Sequence, residues 1–123
     1  MAKTILIVED QDDLRLLVRL SLKSLGRVLL ASSAAQGLAM VRAEKPDLVT
    51  LDVWLGNGDS GLDVCRAIKA DPATSHVKVL LLSACGQQSD VEAGLDAGAD
   101  HYMIKPFSPQ GLGEAAAALL AAG

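Results

Sequence analysis

Short, uniformly apolar runs alternate along this chain with stretches whose apolar positions recur every three or four residues. Residues 4–8 are apolar or β-branched on both faces, as expected of a strand covered by helices on both sides. After them Leu14, Leu17, Val18, Leu22 and Leu25 recur at helical spacing, and Gly26 stands where that helix would end with positive φ. Residues 27–31 predict a second strand. Ser33 and Gln36 predict a capping box for a helix that stops before Pro46. Residues 47–52 predict a third strand, and the glycine-rich residues 55–61 a loop. That loop leads into a helix carrying Leu62, Cys65 and Ile68, which stops at Asp71-Pro72. Residues 77–82 predict strand four. Ser89 and Glu92 predict a second capping box, opening a short helix that closes at Gly98 before a fifth strand over residues 100–104. Ser108 as N-cap and Pro109 at the first helical position open an alanine-rich terminal helix.

Five strands alternating with five helices predict right-handed βαβ units, hence an α/β domain with a parallel sheet and helices on both faces. A length of 123 residues suits one domain spanning 1–123 with a core of its own. Half the residues are apolar, yet every run is far shorter than the ~20 needed to span a bilayer. No membrane association is expected. The N-terminus enters a strand directly, without the features of a secretion signal, so the chain reads as cytoplasmic. Cys65 and Cys85 have no CxxC spacing and no matching histidines, and read as core thiols rather than a disulfide or zinc site. A net charge of −4 should repel a polyphosphate backbone, so direct nucleic acid binding is not expected.

In an open parallel sheet, ligands bind beyond the carboxyl ends of the strands, near the point where strand order reverses. There, strand one delivers Glu9 and Asp10, strand three Asp52, strand four Ser83 and strand five Lys105. Taken singly, each has a plain role. Glu9 and Asp10 suit a helix N-terminus, worth roughly 0.3–1 kcal/mol through the helix dipole. Asp52 could turn the chain, Ser83 close a loop, and Lys105 stay solvated. Together these plain roles fail, because carboxylates crowded at one rim raise each other's pKa unless cations balance them. Lys105 supplies one positive charge, and a hard divalent ion such as Mg²⁺ the rest. That ion prefers phosphate oxygen as a further ligand, which points to phosphoryl chemistry with a carboxylate nucleophile.

These motifs, Ile-Leu-Ile-Val-Glu9-Asp10, Leu51-Asp52, Leu82-Ser83-Ala84 and Ala97-Gly98-Ala99-Asp100 followed by Tyr102 and Lys105-Pro106-Phe107, resemble the response-regulator receiver family over the whole chain. The resemblance implies a flavodoxin-like doubly wound (βα)5 fold with strand order 2-1-3-4-5. It implies that Asp52 is the phosphoacceptor and that Glu9, Asp10, Asp52 and the Trp54 carbonyl hold Mg²⁺. Ser83 would bond the phosphoryl group, Lys105 would pair with it before a cis Lys105-Pro106 bond, and Ser83 and Tyr102 would form the switch. Two positions depart from the family pattern. Gly56 and Ser60 stand where a proline and a glycine are usual, with Gly61 one later, so the loop is one residue longer and should be mobile. Trp54 and Cys85 flank the site, where the indole could slow an attacking water.

The implied function is that of a phosphorelay signalling domain rather than a turnover enzyme. A histidine kinase or phosphotransfer protein would be the donor and a downstream protein the target. A Mg²⁺-dependent phosphohydrolase would need a second acid where Trp54 stands. A flavin carrier would need a hydroxyl- and glycine-rich loop where residues 9–13 are acidic. A third reading is a receiver-like platform that binds proteins without being phosphorylated. With no effector domain after the fifth helix, output is expected through protein contact. The small residues of that helix mark the face of the last two helices and last strand as a candidate homodimer surface.

Overall fold

The computed structural model describes residues 3–56, 58–84 and 86–122. Its sheet strands are β1 (Lys3–Val8), β2 (Gly26–Ala31), β3 (Leu48–Asp52), β6 (Lys78–Ser83) and β7 (His101–Ile104), with a two-residue pair, β4 (Trp54–Leu55) and β5 (Asp59–Ser60), between the third and fourth. The helices are α1 (Asp12–Leu22), α2 (Ala34–Glu44), α3 (Gly61–Ala70), α4 (Gln88–Asp96) and α5 (Pro109–Ala122). The five-stranded sheet is parallel throughout, in the order β2-β1-β3-β6-β7. Counting sheet strands alone, this is the expected 2-1-3-4-5.

Alternation along each strand divides the core in two. Leu6, Val8, Val49, Leu51, Val79 and Leu81 face one way, where Val41 of α2 and Val64, Cys65 and Ile68 of α3 cover them. Ile5, Ile7, Leu48, Leu80 and Leu82 face the other, against Val18 and Leu22 of α1 and Leu112, Ala116 and Leu120 of α5. Strand β3 lies at the centre with all five residues buried. A separate tether ties α3 to the sheet. Lys69 Nζ donates to the carbonyls of Ser75 (3.3 Å) and Val77 (2.7 Å) and to Asp100 Oδ2 (2.9 Å), which also accepts from Val79 N–H (2.8 Å).

Three local expectations need correction. Gly26 does not end α1 with positive φ. The helix gives way at Leu22 to a 3₁₀ turn over Lys23–Leu25, and Gly26 opens β2 in extended backbone at φ 163°. Its lack of a side chain serves strand approach, because a β-carbon there would lie 2.2 Å from the Lys3 carbonyl oxygen. The cap of α4 falls two residues early: Gln87 is the N-cap and its N–H donates to Asp90 (3.2 Å), leaving Ser89 and Glu92 inside the helix. At α2, Ser33 caps Gln36 N–H as expected (3.1 Å), but the Gln36 side chain returns to Ser32 N–H (2.9 Å) instead of the cap residue. Ser108 does cap α5, accepting from Gly111 N–H (2.9 Å).

Candidate functional site

Ladder bonds continued one residue past the strands fix the backbone of the rim. Glu9 N–H donates to the Ala31 carbonyl (3.0 Å), Val53 N–H to Leu82 (2.9 Å) and Lys105 N–H to Ser83 (2.7 Å). Glu9, Asp52, Ser83 and Lys105 therefore stand side by side at the carboxyl end of the sheet. The Lys105-Pro106 peptide is cis, as expected.

Asp52 is 5% exposed and Glu9 2%. Asp52 Oδ1 accepts from Trp54 N–H at 2.9 Å, while Oδ2 accepts from Lys105 Nζ. The same ammonium lies 3.7 Å from Glu9 Oε1, an atom that is buried with no hydrogen-bond partner among the described residues. Glu9 Oε2 accepts from Gln11 N–H (3.1 Å). One lysine thus serves two buried carboxylates. Burial, then the neighbouring Asp52 carboxylate, push Glu9 from 4.5 up to about 8, against the lowering effect of the Gln11 N–H.

Asp10 is exposed, and its Oδ2 would lie 2.9 Å from a β-carbon on Gly56, so the missing side chain there lets the carboxylate lie against the loop after β3. Gly61 answers a similar need: a β-carbon would stand 2.2 Å from the Asp52 carbonyl oxygen. Within the glycine-rich loop, Trp54 pairs with Ser60 and Leu55 with Asp59. Among the described residues no three acidic, histidine or cysteine side chains converge closely enough to hold a metal by themselves. The oxygen-only donors present suit an ion that keeps much of its water, and the unpaired Glu9 Oε1 is an acceptor without a donor, so these residues fit Mg²⁺.

Ser83 is fully buried at the end of β6. Tyr102 is half-buried on β7, opposite Leu81, and packs against the core. With Val53, Trp54, Leu62, Asp90 and Ala93 it lines a cleft of about 100 Å³, over which the Trp54 indole is 64% exposed. Cys85 lies outside the described residues. Cys65 is buried as expected, and burial pushes its thiol up to about 11. Arg15 was not anticipated in any role. It pairs with Asp12 and donates to the Glu9 carbonyl (3.0 Å), pinning the acidic turn, a contact that no short motif announces.

A family model described as the response regulator receiver domain matches residues 5–117. The phosphate regulon transcriptional regulatory protein PhoB of Pseudomonas aeruginosa is 38% identical over 113 residues, covering 91% of this chain and 49% of PhoB. The DNA-binding response regulator MtrA of Mycolicibacterium smegmatis is 39% identical over 113 residues, covering 91% of this chain and 48% of MtrA. The BeF₃-activated receiver domain of DrrB superposes with a TM-score of 0.86 at 31% identity, covering 98% of this chain and 99% of that one. This chain spans about half the length of the two curated relatives. The expectation that nucleic acid is excluded as a partner is overturned by these names, since one relative is a transcriptional regulator and the other a DNA-binding regulator. Net charge describes only the residues counted, and an acidic receiver stretch says nothing about how a longer regulator meets DNA.

Proposed function

We propose that Asp52 is the phosphoacceptor of this chain, which belongs to the response regulator receiver domain family and acts in two-component signalling. The observation that carries this reading is the buried Asp52 held by Lys105 beside a Glu9 oxygen with no hydrogen-bond donor among the described residues. An Asp52 carboxylate oxygen attacks phosphorus in line, forming an acyl phosphate as the P–N bond of a phosphohistidine donor breaks. Lys105 stays with the phosphoryl oxygens, and Ser83 bonds them from the neighbouring strand. Receiver domains of this family bind Mg²⁺ at the phosphorylation site; in this chain Glu9, Asp10, Asp52 and the Trp54 carbonyl would hold it. When bound, Mg²⁺ neutralises charge on the transferring oxygens.

The domain occupies residues 1–123, works in the cytoplasm as a switch rather than a turnover enzyme, and passes its state on through Ser83 and Tyr102. Among the described residues no helix is long and apolar enough to cross a membrane. From the relatives' names we carry over regulation of DNA binding as the output.

The test is intact mass after incubation with Mg²⁺ and acetyl phosphate, for the parent and Asp52→Asn. Gain of one phosphoryl group by the parent alone is expected. No gain from acetyl phosphate, together with no binding of beryllium fluoride, would replace the phosphoacceptor reading with that of an unphosphorylated platform.

A further inference from the structure

Gly94 sits inside α4 and is not among the glycines with positive φ, so its backbone conformation does not call for glycine. At an ordinary position in a helix interior, alanine would be the more stabilising residue. Space explains the choice. A β-carbon on Gly94 would stand 2.6 Å from Tyr102 Cδ2, 3.0 Å from Tyr102 Cε2 and 3.1 Å from Leu81 Cδ1. Leu81 is fully buried in the core and has nowhere to go. The half-buried Tyr102 ring, which lines a cleft with Trp54, is the group that would move.

We propose that Gly94 is a positioning residue that provides the inward seat of the Tyr102 ring and thereby sets how strongly that ring is coupled to the phosphoryl site. The inference rests on Tyr102 acting as the switch proposed above. Tyr102 pairs with Leu81 on β6, two residues before Ser83, so a ring expelled from α4 no longer backs the strand that ends at the phosphoryl group. A ligand that favours the inward ring then binds less tightly, because it must first restore that position.

Trp54 is the single tryptophan and lines the cleft with Tyr102, so its fluorescence reports on the site. The experiment titrates beryllium fluoride, in the presence of Mg²⁺, into the parent, Gly94→Ala, Tyr102→Ala and the double variant, and records the thermal unfolding midpoint of each. Gly94→Ala is expected to weaken apparent affinity roughly fivefold or more in the parent background. In the Tyr102→Ala background the same substitution should leave affinity unchanged, because the ring that it displaces is gone. Unchanged affinity in Gly94→Ala, where Tyr102→Ala does weaken binding, would overturn the seat while sparing the switch. Unchanged affinity in Tyr102→Ala would overturn the switch itself, and the seat with it. Equal losses in both backgrounds would also overturn the seat. If Gly94→Ala does not fold, a folded double variant supports the proposal and an unfolded one overturns it.

Discussion

Two lysines of this domain each pair with a half-buried or buried aspartate, and only one of the two arrangements is complete. Lys69 spends its ammonium on two carbonyls and Asp100, and Asp100 takes a further backbone N–H. All three protons of that ammonium have acceptors, and Asp100 Oδ2 takes both a charged and a backbone donor. Lys105 instead stands between Asp52 and Glu9, and the second of these keeps an oxygen with no hydrogen bond among the described residues. A closed set of partners holds a fold together. An open one, at the carboxyl end of a parallel sheet, leaves acceptor capacity where ligands bind in such folds.

Breaking the closed pair should have the largest effect on stability. Lys69→Met strands Asp100 and two backbone carbonyls, and should cost roughly 2–3 kcal/mol, less than a fully buried pair because both side chains keep some exposure. Chemical denaturation of parent and variant measures this, and phosphoryl uptake by the folded fraction should stay at the parental level. A smaller effect is expected at the open pair. Glu9 takes up its proton near pH 8 when folded, against 4.5 for the ordinary group, so the folded chain binds more protons across that window. Without divalent cation, stability should therefore fall as pH rises from about 5 to 8, then level off. Glu9→Gln should flatten this slope and make the variant the more stable protein at pH 8. An equal slope in both proteins would show that Glu9 is not the strained group.

The smallest expected change is at Thr50, whose buried Oγ1 also lacks a hydrogen-bond partner among the described residues. It lies within β3, away from the rim. Thr50→Val should be neutral or stabilising by up to about 1 kcal/mol, without changing phosphoryl uptake. A loss of uptake there would mean that Thr50 belongs to the site and not to the scaffold.

Much of this contrast was legible in the sequence, for identifiable reasons. The central strands announce themselves because residues 4–8, 48–51 and 79–82 are apolar on both faces, and the helices between them force a parallel sheet. Glu9, Asp52, Ser83 and Lys105 could be found because each follows such a run, and strand ends in this fold converge on one rim. What escaped depends on tertiary approach. Gly26 was read as a helix stop, although its need is set by the Lys3 carbonyl on another strand. Nothing local marks Gly94, because the ring that needs its space stands eight positions later on β7. The pairing of Trp54 with Ser60 hid within a stretch whose glycines suggested only freedom. Lys69 and Asp100 carried no local signal of their partnership.

The most direct test of the contrast is the rate of phosphoryl uptake from acetyl phosphate by Lys105→Met and Lys69→Met, measured side by side under conditions where both are folded. Lys105→Met should be slowed roughly tenfold or more, through loss of charge stabilisation at the transferring oxygens, while Lys69→Met keeps the parental rate. Equal slowing of the two variants, or slowing of Lys69→Met alone, would contradict the assignment of one pair to chemistry and the other to the fold.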